Sequence, residues 1–456
     1  MQTEILNNIQ NNIKFISYKD FELWDVKRYV AERMKSDFPV VKLGLYIQEE
    51  SHKVKLYDFP EEEFGILGVN NKIGIFEAYK EKGANINQAY KRMEKGWLAY
   101  NPYRVNVGSI GMRTEEHKHE YISPAYVVFR CKENLMPDFL YKLFKTERFN
   151  KLIRENTTGS VRQNLTFDIM KTLDIALPPI EVQRELLNKY YKKQNNSLKQ
   201  LDEILEIEKK INEYFLNKLV IKQSKSVTIN KGLNFINFKD IQEWEVSRFS
   251  NLSLQYTSRF PLITMNELCN NFKNGLNYSA NQAGHGTSIV NISDLYNDDG
   301  FVCKNELEKV EFNPKQIKSN SLNNNDLLFV RSSVKYEGVG YPSLINIDKN
   351  EQIVFAGFVI KCSPLKEKVN PLYLLYLLRS EFFRNIIIHL SSKTIITNIS
   401  QDKLKSIKIP LPEFSIQNSI VKEIKEFYDA KILLKQQAEQ NQKEAIKEFE
   451  QAIFKN

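Results

Sequence analysis

The chain lacks any apolar run able to cross a bilayer. Its longest candidate, Pro371 to Leu390, is interrupted by Arg379, Glu381, Arg384 and His389, whereas a span needs about 20 apolar residues in succession. Cysteine is scarce as well. Cys131, Cys269, Cys303 and Cys362 stand far apart, with no C-x-x-C pair among them. That spacing argues against a disulfide framework and suits free, mostly buried thiols in a reducing compartment. The first residues, Met1 to Asn8, are polar and show no basic-then-apolar leader pattern. A soluble, cytoplasmic protein without membrane contact is expected.

Signatures of catalysis are also missing. A base-methylating site needs an Asn/Asp-Pro-Pro-Tyr/Phe loop and a glycine-rich cofactor loop. Asn101-Pro102-Tyr103 lacks the second proline, follows no such loop, and leads into Arg104, a cation where such enzymes hold a flipped base. The acidic runs at Glu61 to Glu63 and Glu306 to Lys309 fall outside the metal-nuclease pattern and read as solvated. No phosphate-cradling G-x-x-x-x-G-K-[ST] loop occurs. His117 with His119, and His285 between two glycines, offer too few ligands for zinc, and Asp298-Asp299-Gly300 reads as a turn. We expect no catalytic residue, and no metal or cofactor held by this chain.

Much else is present. The chain has 456 residues, beyond the roughly 250–300 that one core supports, so at least two domains are expected. Hydrophobic residues make up 42% and aromatics 12%, enough for aromatic-rich globular cores. The formal charge is +9 and the pI about 9.0. A modest cationic excess of this kind fits a polyanionic partner, because clustered cations release counterions from phosphates.

The sequence is written twice. Tyr18 to Tyr29 returns at Phe238 to Phe249, Ile122 to Val128 at Val354 to Ile360, and Pro137 to Gln183 aligns without a gap on Pro371 to Gln417. The last pair shares Glu147/Glu381, Phe149/Phe383, Asn164/Asn398, Asp168/Asp402, Leu177-Pro178/Leu411-Pro412 and Gln183/Gln417. The offset grows along the module, so the ends match while the middles differ in length and sequence. Two readers of different targets need such a shared frame with divergent inserts, although loops also drift in any duplicated protein.

Each copy closes on a long helix. From Ile180 to about Lys222 there is no glycine or proline, and apolar residues recur at Leu187, Tyr191, Leu198, Leu201, Leu205, Ile211, Phe215 and Leu219. After Leu411-Pro412 the second copy repeats the design at Ile416, Ile420, Ile424, Phe427, Leu434, Ala438, Ala445, Phe449 and Ala452. Prolines just before such runs suit helix starts. Each helix is about 40 residues, or roughly 60 Å, and must bury its stripe to persist. Two such helices in one chain point to mutual, coiled-coil packing. The mixed α/β modules before them carry β-rich runs at 96–100, 126–131, 326–331 and 354–362, and helical runs at 138–156 and 372–390. The expected division is a first recognition domain over 1–176, a helix over 177–224, a second domain over 225–410 and a second helix over 411–456.

Sequence-reading of DNA needs forked donors and amides at base edges, with Lys, Arg, Tyr or Ser on phosphates. The divergent middles supply them: Lys72, Lys91, Arg92, Tyr100, Arg104, Asn106 and Arg113 in the first copy, and Lys273, Asn274, Asn277, Tyr278, Asn281, Gln282, Arg331 and Lys335 in the second. Arg104 and Arg331 follow the corresponding strand in each copy and form the preferred pair.

Tyr100-Asn-Pro-Tyr-Arg104 with Gly108-Ser-Ile-Gly111, Phe272-Lys-Asn-Gly-Leu276, Asn325-Asp-Leu-Leu328 with Arg331-Ser-Ser333, Phe355-Ala-Gly-Phe358, and the helix starts ending in Gln183 and Gln417 resemble the specificity subunits of type I restriction-modification systems. The resemblance covers nearly the whole chain. It implies two target-recognition domains held apart by antiparallel spacer helices, each domain reading half of a split DNA site. Half-sites about one helical turn apart suit the roughly 34 Å of paired readers. It implies double-stranded DNA as ligand and, as partners, two methyltransferase subunits that bind S-adenosylmethionine and motor-nuclease subunits that use ATP and Mg. The opening segments Thr3 to Val30 and Lys231 to Phe249 match no particular role. Other readings are a specificity subunit of a type II fused nuclease-methylase system, a coiled-coil scaffold for proteins, and a degenerate methyltransferase.

Overall fold

The computed structural model describes residues 34–156, 164–223, 256–348, 351–392 and 396–455. The opening segments 3–30 and 231–249 lie outside these residues. The chain divides into two compact units, one of Met1–Leu198 with Ala438–Asn456 and one of Lys199–Gln437. Each is a mixed α/β module built against a pair of helical segments.

In the first unit a four-stranded sheet runs in the order Ile47–Glu49, Val127–Cys131, Leu98–Tyr100, Ile110–Met112. In the second the order is Cys269–Asn274, Val359–Pro364, Leu327–Val330, Pro342–Leu344. The topology is the same in both. Each module is clasped by a short antiparallel pair joining its beginning to its end, Val40 opposite Ala176 and Leu262 opposite Pro410. The central strands are buried on both faces, which explains their unbroken apolar runs. Leu98 and Tyr100 face a helix-covered core while Ala99 faces a second sheet. Leu327 and Phe329 repeat this against Leu328 and Val330. The second sheet has five strands in the first unit and three in the second. The length difference between the modules is therefore concentrated in that layer and its loops.

The first long helix spans Ile180–Lys218 and the second Phe414–Ile453. Each contributes its first part to the unit of its own module and the remainder to the other. Inside each unit the two segments run antiparallel. Lys193 bonds Glu444 and Glu448 at 2.6 and 2.7 Å in the first unit; Gln200 meets Gln437, and Lys431 meets Glu208, in the second. The antiparallel helix pairing expected from the twin stripes is thus present. Of the expected stripe, Leu187, Ile211, Phe215 and Leu219 are buried, while in the middle of the helix the buried positions are Ser197 and Ile204. Leu198, Leu201 and Leu205 are exposed, because the drifting register carries them off the seam.

A glutamine at the matched position of each copy attaches each helix to its module. Gln183 is fully buried; it accepts from Met136 N at 2.9 Å and donates to Asn134 O and Pro178 O, both at 2.8 Å. Gln417 accepts from Asn370 N and donates to Pro412 O, again at 2.8 Å. A second pairing swaps helices between modules. Glu450 of the second long helix accepts from Glu147 N and Arg148 N, and Asn212 of the first accepts from Phe382 N at 3.0 Å. Both satisfy orphan amides at the start of a short helix.

Two expectations need correction. The helical runs at 138–156 and 372–390 are each two helices, Pro137–Leu143 with Glu147–Asn156 and Pro371–Arg379 with Glu381–Leu390. Thr146 and Ser380 break them by donating their hydroxyls back to Leu143 O and Leu377 O at 2.7 Å. The β-run at 354–362 is likewise two strands, Ile353–Phe355 and Val359–Pro364, which join different sheets across a turn at Ala356.

Candidate nucleic-acid interface

The loop after the central strand carries an arginine in each module, Arg104 four residues beyond Tyr100 and Arg331 directly after Val330. In the first unit the loop Asn101 to Ser109 is folded back on itself, with Tyr103 N donating to Asn101 Oδ1 at 3.0 Å and Ser109 N to Arg104 O at 3.1 Å. This is a turn; the Asn-Pro-Tyr motif uses its asparagine side chain locally. Arg104 projects into solvent, flanked by Tyr103 at 60% and Val107 at 59% exposure. The neighbouring hairpin tip carries Lys72, also exposed. Ser109 Oγ donates to Val69 O at 3.3 Å, and a Cβ on Gly108 would stand 4.0 Å from Asn71 Cβ, so loop and hairpin are packed side by side. Gly108 takes a left-handed φ of 85°, a conformation that favours glycine. Asn106 is half-buried in the same loop. Lys145 supports it from below by donating to Gly108 O and Ile110 O at 3.4 and 3.3 Å. Burial, then the charge of Lys142, pushes the Lys145 amine below its ordinary value.

In the second unit Arg331 lines a cleft of about 500 Å³ with Asn274, Asn398, Gln401 and Lys403. Arg331 Nη1 donates to Gly357 O at 3.2 Å, and Gln401 Nε2 to Asn274 Oδ1 at 3.0 Å. Asn277 is exposed and lies against Gly357, where a Cβ would fall 1.9 Å from its Oδ1. Asn274, Asn277 and Arg331 are therefore brought together, as forked donors and amides must be to read base edges. Lys335 is exposed four positions beyond Arg331. The loop is anchored by Arg384, which donates to Gly340 O, Glu337 O and Val339 O at 2.7, 2.9 and 2.7 Å. Burial draws the Arg384 guanidinium down to about 10, so it remains charged at neutral pH.

Other residues proposed from sequence lie elsewhere. Tyr100 is fully buried and donates to Leu165 O at 3.1 Å, because its strand is covered on both faces. Lys91 is buried and donates to Tyr126 O at 2.9 Å; its amine is held below the ordinary value by burial. Arg113 is buried and turned toward Met93 O and His117 O. These three belong to the scaffold, and the structure corrects their placement on a DNA surface. Arg92 is exposed but paired with Glu120 at 3.1 Å, which raises its guanidinium above the ordinary value. Tyr278 donates to Glu308 at 2.6 Å and Asn291 at 3.2 Å; burial, then Glu308, raises its phenol. Lys273 donates to Ser319 O at 2.8 Å, and Asn281 and Gln282 close a short turn with Ser279. None of these enters the Arg331 cleft.

Asn398, Gln401 and Lys403 were missed by sequence. A signal was available: in the otherwise aligned segment, Phe167, which is buried, and Ile169 give way to Gln401 and Lys403. Apolar residues replaced by polar ones at matched positions mark a surface put to use in one copy only.

A duplicated sheet scaffold presenting cations, amides and exposed apolar tips from divergent loops has the make-up of a sequence-reading nucleic-acid binder. Residues 260–444 match the family model of the type I restriction modification DNA specificity domain. The EcoKI specificity subunit of Escherichia coli strain K12 is 21% identical over 302 residues, covering 66% of this chain and 60% of that one. A putative type I restriction enzyme MjaX specificity subunit of Methanocaldococcus jannaschii is 29% identical over 157 residues, 34% of this chain and 36% of that one. The matches thus span less than two thirds of the relatives' own length. A chain from a solved structure of the type I R-M system, concerned with complex assembly and conformational transition, covers 92% of this chain and 99% of its own at TM-score 0.55 and 14% identity, a likeness of fold. Residues 260–444 thus carry a type I restriction modification DNA specificity domain, and the chain is similar to the specificity subunits of such systems.

Proposed function

We propose that the chain reads a split DNA site in the cytoplasm, one half-site per module, and directs adenine methylation and cleavage by partner subunits while performing no catalysis itself. The observation that carries this reading is a four-stranded sheet repeated in the same strand order in the two modules, with an arginine, Arg104 or Arg331, in the divergent loop that follows its central strand. The scaffold is held constant while the surrounding loops differ, as two readers of different sequences require. The direct contacts are assigned to Lys72, Arg104 and Asn106 in the first module, and to Asn274, Asn277, Arg331 and Lys335 in the second. Two methyltransferase subunits carrying S-adenosylmethionine, and motor-nuclease subunits using ATP and Mg, complete the complex.

The test is a map of methylated adenines in cells that co-express this chain with the methyltransferase subunit encoded beside it. A motif of two short blocks around a fixed gap is expected. Arg331→Ala should relax one block by about 1–3 kcal/mol of discrimination and leave the other intact, with Arg104→Ala doing the converse. No motif from an assembled complex, or both blocks lost together in either variant, would refute the proposal.

A further inference from the structure

The most exposed of the large apolar residues among the described ones is Val334, at 82%. It is not on a domain face but on the loop that follows Arg331, three positions along. The first module repeats the arrangement: Val107 stands three positions after Arg104 and is 59% exposed. The residues between and around them are unrelated, Val105-Asn106 in one copy and Ser332-Ser333 in the other. In each of these divergent loops an exposed valine stands three positions after an arginine, although Arg104 lies four residues beyond Tyr100 and Arg331 two beyond the matching Phe329. Nothing in either fold requires it, since neither side chain belongs to a core cluster. Both loops are fixed from beneath by a half-buried cation at aligned positions. Lys145 donates to Ile110 O at 3.3 Å and Arg379 to the equivalent Pro342 O at 2.9 Å. The valines are thus solvent-facing apolar tips on braced loops.

We infer that Arg-x-x-Val is a two-residue reading device in each module, in which the valine contacts the 5-methyl group of a thymine in the major groove. Three residues of extended chain cover at most about 10 Å, or about three base-pair steps, so arginine and valine reach the same half-site. The thymine methyl is the one apolar feature of the major-groove edge, and small apolar side chains are its natural partners. A methyl covered by an isopropyl group corresponds to about a four-fold change in affinity, from the usual contribution of one buried carbon. The inference rests on the DNA-reading function proposed above. It commits each half-site to containing a thymine.

The test uses the full chain purified with its methyltransferase subunits, and duplexes carrying the mapped site in which each thymine in turn is replaced by deoxyuridine. One replacement per half-site is expected to weaken binding about four-fold. With Val334→Ala the thymine and deoxyuridine duplexes of the second half-site should bind alike, while the first half-site still discriminates; Val107→Ala should do the reverse. Equal binding of all duplexes by the wild-type complex would overturn the inference, as would a half-site without thymine or discrimination that survives both substitutions. Loss of methyltransferase subunits from the Val334→Ala complex would also overturn it, by making the valine a protein contact. In each of these cases, strong preference for the mapped site over random DNA keeps the reading function standing. Absence of that preference would fail the function itself.

Discussion

Lys361 and Asp326 form an ion pair inside the second module, with Nζ 3.0 Å from Oδ2 and both side chains almost wholly buried. The carboxylate also accepts from Asn323 N at 2.8 Å and Ser363 Oγ at 2.6 Å, and the amine donates to Ser321 O at 3.1 Å. Removing one member of such a pair leaves a desolvated charge without its counter-charge, a loss of about 3–5 kcal/mol. Lys361→Met should therefore destabilise the second unit by that amount. Adding Asp326→Asn removes the stranded charge while an amide can still accept from Asn323 N and donate to Ser363 Oγ, so the double variant should recover a large part of the loss. Hydrogen exchange on the full chain reads each unit separately. Amides in Leu327–Val330 and Val359–Pro364 should lose roughly 10²–10³-fold or more of their protection in Lys361→Met, while Leu98–Tyr100 and Val127–Cys131 in the first unit stay unchanged. A loss under about 1 kcal/mol, or a double variant no better than the single, would show that the pair is solvated and refute the reasoning.

Gln417→Ala should cost about 2–4 kcal/mol, since it strands Asn370 N and Pro412 O in a buried site; chemical denaturation of the second unit measures it, and Gln183→Ala should act likewise on the first. Gly357→Ala would drive a Cβ into Asn277 Oδ1, so affinity for the second half-site should fall while the first is unaffected; unchanged binding by competition on half-site variants would place Asn277 away from DNA. Glu77 accepts from Lys118 N at 2.7 Å and His119 N at 3.2 Å, and the Lys118 amide is the main cause holding its carboxyl below the ordinary value. Its contribution is present above the unfolded carboxylate value, near about pH 4.3, and is lost as pH falls through the lowered folded value. Protection of those two amides should therefore decline between about pH 5 and pH 3, and no decline would show the contacts do not order the loop.

The sequence by itself determined the duplication and the two long helices, because these are carried by local signals: matched segments and unbroken apolar spacing. Gln183 and Gln417 were visible as identities, but their work as buried clamps depends on carbonyls and amides as far as 49 residues away. Tertiary structure alone decided which cations face solvent. Lys91, Arg113 and Tyr100 read as surface donors, yet each is satisfied by a backbone carbonyl of its own module. Polar residue type reports what a side chain can bond, and only packing decides whether water, DNA or the fold's own backbone is within reach. The same limit hid Asn398, Gln401 and Lys403, which join Arg331 from a segment more than 60 residues along the chain. It also hid the fate of Leu198, Leu201 and Leu205, which share the stripe's spacing but fall off the seam, because burial along a long helix depends on what the opposing segment brings to each turn.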